Sequence, residues 1–403
     1  MDEVAAAKAA LNKVLPYVTS AADWESPRPF TMNMVFTWQG LRALGLSKND
    51  LDSFPDEFRA GMAARKEILG DSGASDPSKW VAPLGSGDIH IGVIVSSETE
   101  KGVRAPLTLA EGLQGVTCIY RIDVGVPPTG REHFGYRDGI GGPFVIGSGA
   151  SAHPGQDAVM PGEFILGYPD ESGSIPPLPG PEVLTRNGSF LAFRQLYCDV
   201  AAFRRFLRAN ARSKDDEELI AAKMVGRWRS GAPLMLAPER DDPELALDST
   251  RNNDFQYFAA DPKGLICPLG AHIRRVNPRD GLQDTIVSTN IHRLIRRGAS
   301  YGPVLPEDVV DDDGVDRGVV FFMGASLRRQ FEFIQQQWIN NGDFVGLGTE
   351  KDPLVGNNDG TGGYTIPARP IRRHFNGLPG FVSVRGGEYC FVPGLNAIKW
   401  LAT

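Results

Sequence analysis

The chain has 403 residues, of which 41% are hydrophobic and 23% are charged, a composition typical of globular proteins. At roughly 100–200 residues per domain, this length predicts two domains. The net charge of -7 argues against a nucleic-acid partner, because phosphate binding needs a basic surface. No apolar run approaches the roughly 18 residues of a membrane-spanning helix, so no membrane partner is expected.

The start of the chain and its cysteines favour a cytoplasmic protein. The first residues are acidic, and the alanine-rich stretch after them lacks the basic region and dense apolar core of a secretory signal. Four cysteines lie far apart among apolar neighbours: Cys118, Cys198, Cys267 and Cys390. This spacing predicts buried, reduced thiols rather than a disulfide framework or a zinc site.

In the N-terminal part of the chain, hydrophobic periodicity predicts helices alternating with strands. Helices are predicted over residues 4–18 and 58–69, and strands over residues 32–38, 89–95 and 117–124. This order suits an α+β layer with helices on one side of a sheet. Gly and Pro become frequent between residues 126 and 181, which indicates a linker or a long ordered loop, and ordered loops of that length usually carry function.

The C-terminal part of the chain repeats the alternation. Strands are predicted over residues 189–196, 291–298, 319–323 and 381–384, and helices over residues 200–207, 327–338 and 395–401. Two halves of this kind suggest a duplicated α+β unit.

His272 is the first candidate for a functional residue. Six histidines are present, and none forms the i, i+4 pair of a metal-binding helix. His272 follows Gly270 and Ala271, whose small side chains would let a flat cofactor approach the imidazole, and the basic residues after it could meet anionic groups. Taken alone, a lone histidine is a ligand only about one time in ten.

Two other positions could carry acid–base or electrostatic chemistry. Asp138 precedes Gly139 in the glycine-rich stretch, where it is either an acid–base group facing a cavity or a turn residue bonding its own backbone, the latter commoner by roughly three to one. Arg296 and Arg297 are neighbours on a predicted strand, so at most one can reach a given cavity. Periodicity does not choose between them, and a solvated charge pair is favoured at about two to one.

Taken together, these segments resemble those of the dye-decolourising haem peroxidases. The segment from Phe134 to Gly139 resembles the family's G-x-x-D-G motif. The segment from Cys267 to Arg279 resembles its proximal-histidine segment, and that from His292 to Gly302 its distal-arginine strand. Further stretches match in the same order: residues 161–168, 187–190, 329–333, 352–356 and 381–387. The resemblance covers nearly the whole chain and is closest to the larger, longer-looped members.

The resemblance implies an α+β fold of two ferredoxin-like domains. The N-terminal domain would span residues 1–185, and its long loop would carry Asp138. The C-terminal domain would span residues 186–403 and bind one haem b per chain.

The resemblance also implies a role for each candidate. His272 is the implied proximal iron ligand, Asp138 the distal acid–base residue, and Arg296, the first of the arginine pair, the distal arginine that contacts the haem. Three more residues are implied to line the haem: Arg279 at a propionate, and Val319 and Phe321 as apolar walls.

These residue types suit the cleavage of hydrogen peroxide. A carboxylate can move the peroxide proton, and a fixed guanidinium can stabilise the charge on the departing oxygen. Because a carboxylate stays ionised into acid, we expect an acidic optimum with bulky phenolic or dye reductants. Tyr301 matches the position of a tyrosine that relays electrons to the surface in some members, although a packing aromatic explains it equally well.

One departure from the family pattern concerns the N-terminus. The family's first domain usually begins with a strand before its first helix, and here that strand is predicted to be missing. Either the chain starts downstream of its natural start, with a leader lost as well, or it is a variant. An unpaired sheet edge favours association, so a homo-oligomer is one expectation.

Two other functions remain open from the sequence. A haem-binding or haem-iron-handling protein could use the same fold and ligand, but it would not need an acid–base pair. A degenerate relative without haem conflicts with the joint presence of His272, Asp138 and Arg296.

Overall fold

The structure is a computed structural model that describes residues 3–22, 24, 26–324 and 326–403, without the side chains at 322 and 323. Its α-helices are α1 Glu3–Val14, α2 Trp38–Ala43, α3 Lys48–Asp52, α4 Asp56–Ala60, α5 Lys66–Leu69, α6 Glu100–Glu111, α7 Glu182–Thr185, α8 Val200–Asn210, α9 Lys214–Val225, α10 Pro243–Leu247, α11 His272–Val276 and α12 Leu395–Leu401. Two π-helical segments follow one another, Leu327–Glu332 and Ile334–Ile339. Short 3₁₀ turns are Leu15–Tyr17, Ala63–Arg65, Gly73–Ser75, Pro77–Lys79, Pro161–Glu163, Arg279–Leu282, Asn290–His292 and Phe344–Gly346.

The strands are β1 Thr31–Phe36, β2 Ile91–Ser96, β3 Phe144–Val145, β4 Ala158–Val159, β5 Ser189–Cys198, β6 Ile295–Tyr301, β7 Gly318–Gly324, β8 Gly362–Ile366, β9 Arg373–Leu378 and β10 Val382–Val392. Six of them form one antiparallel sheet in the order β2-β1-β10-β5-β7-β6. The pairs β3–β4 and β8–β9 form two small separate sheets.

The C-terminal half builds a ferredoxin-like unit. In chain order it runs from β5 through α8 and α9 to β6 and β7, then through the π-helical segments to β10. The spatial order β10-β5-β7-β6 is therefore 4-1-3-2, which is the order of a β-α-β-β-α-β unit. Strand β5 lies at its centre and is mostly buried, which fits its apolar sequence.

The N-terminal half contributes β1 and β2 to the same sheet. These two strands pair over six residues, from Thr31 opposite Ser96 to Phe36 opposite Ile91. Among the described residues, one registered pair joins the two halves in the sheet, Phe36 opposite Phe391. The strand order confirms the α+β class, and the boundary between residues 185 and 186 stays a prediction.

Apart from smaller shifts at element ends, such as the end of β1 at Phe36 rather than at Trp38, three predicted elements differ from the structure. The helix predicted over residues 58–69 is split, because Gly61 has a φ of 76° and ends α4. The strand predicted over residues 117–124 forms no ladder, and the adjacent Gly125 makes an isolated bridge to Ser300. The strand predicted from residue 291 begins only at Ile295, after a 3₁₀ turn.

Two further predictions from the sequence concern the burial of the cysteines and membrane-spanning helices. Cys198, Cys267 and Cys390 are free and buried, as predicted, whereas Cys118 is free but exposed, so its predicted burial is wrong. Among the described residues, no helix combines the length and the apolar character needed to cross a lipid bilayer.

Candidate functional site

One face of the sheet, the helix α11 and the loop over residues 131–142 enclose a cavity of about 350 Å³. This volume lies in the range of small-molecule and cofactor sites. Six residues singled out from the sequence line it: Asp138, His272, Arg279, Arg296, Val319 and Phe321. They come from both halves of the chain, so the fold brings together what the sequence separates by up to 183 positions (138 to 321).

His272 is fixed by a buried carboxylate. It is the first residue of α11, and its Nδ1 lies 2.8 Å from Oδ2 of Asp352. Because Asp352 is fully buried and accepts at this nitrogen, Nδ1 carries the proton and Nε2 is the nitrogen left for a ligand. A carboxylate bonded to the far nitrogen of a histidine is the usual second partner of a metal-binding imidazole.

The Asp352 carboxylate is itself held in place. Its Oδ1 accepts from the N–H groups of Leu354 at 2.9 Å and Val355 at 3.0 Å. Burial alone would raise the pKa of Asp352, but the hydrogen bonds from His272 and from the Val355 N–H hold that pKa below its usual range. The pair is therefore arranged as an ionised carboxylate facing an imidazole N–H.

Asp138 and Arg296 form a bidentate ion pair across the cavity. Nη1 of Arg296 donates to Oδ2 of Asp138 at 2.8 Å, and Nη2 donates to Oδ1. Partial burial would raise the pKa of Asp138, but the charge and hydrogen bonds of Arg296, with the Gly139 N–H, hold that pKa below its usual range. The Asp138 carboxyl is thus poised as a base that remains ionised in acid.

Strand β6 directs the side chain of Arg296 into the cavity and that of Arg297 away from it. Side chains alternate along a strand, so the two arginines point to opposite faces, and only Arg296 lines the cavity. The guanidinium of Arg296 lies 4.8 Å from the ring centre of Phe321. Gly298 leaves the room for this arrangement, because a Cβ there would lie 2.7 Å from the Phe321 ring and 3.0 Å from Oδ2 of Asp138.

Three arginines line another part of the cavity wall, Arg279 and Arg293 buried and Arg227 half-buried. Nη1 of Arg279 donates to the carbonyls of Gly155, Asn253 and Phe255, each at 2.9 Å. Burial lowers the pKa of Arg227 and of Arg293 to about 10, which leaves both cationic at neutral pH.

These arginines have few anionic partners. Among the described ion pairs, the three arginines have one carboxylate, Asp157, whose Oδ2 lies 3.6 Å from Nε of Arg293. Buried charges are normally paired, so this wall fits a ligand that carries carboxylates.

Unpaired polar atoms also point to a ligand. Four buried side-chain atoms on the cavity wall have no hydrogen-bond partner among the described residues: Tyr136 Oη, Arg194 Nε, Asn277 Oδ1 and Arg293 Nε. Native proteins rarely leave buried polar atoms unsatisfied without a reason. The residues present therefore fit haem, whose iron needs an imidazole and whose propionates need cations.

Tyr301 does not line the cavity. It is the last residue of β6 and lies on the face opposite to Arg296 by strand alternation. The side chain is buried, which raises its pKa, and its hydroxyl lies 3.4 Å from Oδ1 of Asp316. Tyr301 is therefore not a surface residue. An electron relay through it stays a prediction, and it would need a second residue that carries the electron from Tyr301 to the surface.

Several residues of the site were not singled out from the sequence. Asp352 is 80 positions from His272, and Arg227 and Arg293 lie outside the histidine segment. The stretch 352–356 was matched to the family as a segment without a role for its aspartate. No sequence signal singles it out, because the contact between Asp352 and His272 arises from tertiary packing.

Comparison with known proteins identifies relatives of this chain. A family model described as the DyP dimeric alpha+beta barrel domain matches residues 2–118. Peroxidase 2 of Mycetinis scorodonius is 36% identical over 422 residues, a match that covers 96% of this chain and 79% of that protein. The dye-decolorizing peroxidase AauDyP1 of Auricularia auricula-judae is 32% identical, with coverage of 96% and 78%.

Solved structures agree with the sequence relatives. A dye-decolorizing peroxidase in complex with 2,6-dimethoxyphenol superposes with a TM-score of 0.86 at 29% identity, covering 99% of this chain and 93% of that one. The likeness thus extends over both halves of the chain. The chain belongs to the dye-decolourising peroxidase family.

Proposed function

We propose that this chain binds one haem b in the described cavity, with His272 as the iron ligand, and uses Asp138 and Arg296 to cleave hydrogen peroxide. The observation that carries the proposal is that a carboxylate-bound histidine and an Asp–Arg pair line one cavity. The enzyme class follows from the family, because relatives at 32–36% identity are named peroxidases. The chain is a peroxidase that oxidises aromatic substrates.

When bound, haem supplies an iron with a coordination position open to peroxide and the capacity to accept its oxidising equivalents. His272 would hold this group through Nε2, while Asp352 keeps the proton on Nδ1. The cationic wall of Arg227, Arg279 and Arg293 would face the propionates.

Asp138 is the group that moves the proton. Its Oδ1 accepts from Arg296 and from the Gly139 N–H at 2.7 Å. In the described contacts its Oδ2 accepts from Arg296 alone and retains a second lone pair, so this oxygen can still take a proton from peroxide. It then returns that proton to the oxygen that departs. A positioned acid–base group of this kind contributes about 10²–10⁴-fold to a rate.

Arg296 stabilises the charge on the departing oxygen. Two of its five N–H donors are used by Asp138, which leaves others for an oxygen in the cavity. The guanidinium is held against Phe321, so it needs no reorganisation during the reaction.

The proposal is tested by reconstitution with haem followed by peroxide. We expect a Soret band at one haem per chain, and peroxide-dependent oxidation of a phenolic dye. In Asp138→Asn the Soret band should persist while dye oxidation falls about 100-fold or more. The exposed His153→Ala serves as the matched control and should behave like the wild type. A Soret band without any peroxide reaction would instead favour haem binding or haem-iron handling, and no Soret band would refute both.

A further inference from the structure

The loop that carries Asp138 has no regular structure to hold it. Residues 136–140 belong to no helix or strand. Among the described backbone hydrogen bonds, the N–H of Arg137 donates to the carbonyl of Arg229 at 3.0 Å, which ties the loop to the segment after α9. Side-chain bonds from Arg137 to the carbonyl of Ala246 at 3.1 Å and from Asn253 to the carbonyl of Ile140 at 2.9 Å also hold the loop. The position of Asp138 therefore depends in part on contacts just before it in the chain.

Those contacts converge on Glu132. Its Oε2 accepts from the N–H of Phe134 at 2.9 Å, and its Oε1 accepts from the N–H of Tyr136 at 2.8 Å. Its own N–H donates to the carbonyl of Tyr136 at 2.9 Å, and its carbonyl accepts from the N–H of Gly135 at 2.8 Å. Four hydrogen bonds from a single residue thus close the turn that ends two positions before Asp138.

Arg229 holds the same turn from outside. Its Nη1 donates to the carbonyl of Phe134, its Nε donates to Glu218 at 2.7 Å, and its guanidinium lies 5.1 Å from the ring centre of Tyr136. Glu132 is therefore not the ion-pair partner of Arg229 in the described contacts. Its carboxyl is used for backbone N–H groups alone.

The environment of Glu132 is unusual for a carboxyl with no catalytic or binding role. It lines the cavity with Asp138, and the charged or titratable groups that face it are Asp138, Arg229, Tyr136 and Cys198. Burial raises its pKa to about 7, even though two backbone N–H groups and Arg229 act in the opposite direction. Keeping such a group costs stability, which points to a role in placing the loop.

We propose that Glu132 is a positioning residue for peroxide cleavage, whose carboxyl clamps the turn before Asp138 and so sets where the Asp138 carboxylate lies relative to Arg296. The inference rests on the proposed function, because it assigns Glu132 to the same reaction. Both oxygens of Asp138 bond to Arg296, and a bidentate pair of this kind depends on the exact placement of the carboxylate. A small displacement of the turn therefore moves the carboxylate away from its place beside Arg296.

The first test is Glu132→Gln, which has the same shape. Its amide nitrogen places a donor against one backbone N–H, so one of the two hydrogen bonds is lost. We expect the second-order rate constant of the haem-loaded enzyme with hydrogen peroxide to fall about 10–100-fold, because displacements near 1 Å cost up to that much. The KM for the dye and the Soret band should not change.

A double-mutant cycle separates positioning from general damage. In the Asp138→Asn background, Glu132→Gln should add less than about a twofold further loss, because it acts only through Asp138. Glu388→Gln is the matched control, since Glu388 also accepts a backbone N–H, from Gly85 at 2.6 Å, and burial also raises its pKa to about 7. Glu388 does not line the cavity, so its substitution should leave the peroxide rate constant within about twofold.

A second readout does not depend on activity. In the haem-free protein, the amide protons of Phe134 and Tyr136 should exchange at least about tenfold faster in Glu132→Gln than in the wild type. Should Glu132→Gln fail to fold, Glu132→Asp retains the charge but is one methylene shorter, and it should show the same coupling to Asp138.

The outcomes are distinct. A wild-type protein that binds haem without reacting with peroxide refutes the proposed function. A reactive wild type with an unchanged rate constant in Glu132→Gln refutes the positioning role alone. An equal loss in both backgrounds would also overturn it, because that result assigns Glu132 to folding in general.

Discussion

Asp352→Asn is the substitution that best tests the hydrogen bond between Asp352 and the proposed iron ligand His272. The asparagine keeps one oxygen for the N–H groups of Leu354 and Val355, so the loop should keep its shape. Its Nδ2 then faces Nδ1 of His272 at about 2.8 Å, where the aspartate accepted a proton. The imidazole is expected to shift its proton to Nε2, which is the nitrogen that iron needs.

The expected cost is a 10–100-fold loss of haem affinity, the usual range for removal of such a partner. This corresponds to about 1.4–2.7 kcal/mol of binding free energy. The reduction potential of the bound iron should also rise, because a neutral partner stabilises the ferric state less than an anion does.

The assay is a haem titration followed at the Soret band, with a redox titration of the loaded protein. Asp359→Asn is the matched control, since Asp359 lies in the same loop, is exposed, and bonds only to Thr361 in the described contacts. The reasoning is refuted if Asp352→Asn binds haem with the affinity and potential of the wild type.

Three further predictions concern the distal side. Activity should persist below pH 4, the ordinary aspartate range, and be lost only as pH falls through the lowered pKa of Asp138. In Arg296→Met the pH at which activity is lost in acid should rise, because Arg296 lowers that pKa. An unchanged pH of activity loss in this variant would contradict the assignment of Asp138. Gly298→Ala should destabilise the fold by about 1–3 kcal/mol and slow the peroxide reaction, because its Cβ meets Phe321 and Asp138; an unchanged rate in stopped-flow traces would speak against a tight fit. Tyr301→Phe should reduce the turnover of bulky dyes while leaving the turnover of small phenols unaffected. Wild-type turnover of both substrate classes in this variant would refute the relay through Tyr301.

Hydrophobic patterning predicted the elements that build the sheet. The apolar runs of β5 and β7 and the amphipathic spacing of α8 are local properties, and the structure confirms them as strands and a helix. The alternation over residues 117–124 also indicates extended backbone, but pairing depends on a neighbour. There the side-chain hydroxyl of Tyr120 donates to Gln195 and the backbone forms no ladder.

The candidate site was accessible only in part from the sequence. His272, Asp138 and Arg296 stand in short segments that resemble a family, and the structure places all three on one cavity. Tertiary packing brings Asp352 to His272 and Arg227 to the cavity wall, and no spacing rule predicts either placement. The same is true of Glu132, since its two acceptor bonds depend on the exact path of a loop.

The most direct test of the central claim is the identity of the iron ligand. Haem should be titrated into the wild type and into His272→Gly, with and without added imidazole. We expect one haem per chain and a histidine-ligated spectrum in the wild type, loss of that spectrum in His272→Gly, and its return when imidazole fills the space. A wild-type spectrum in His272→Gly without imidazole would contradict the account.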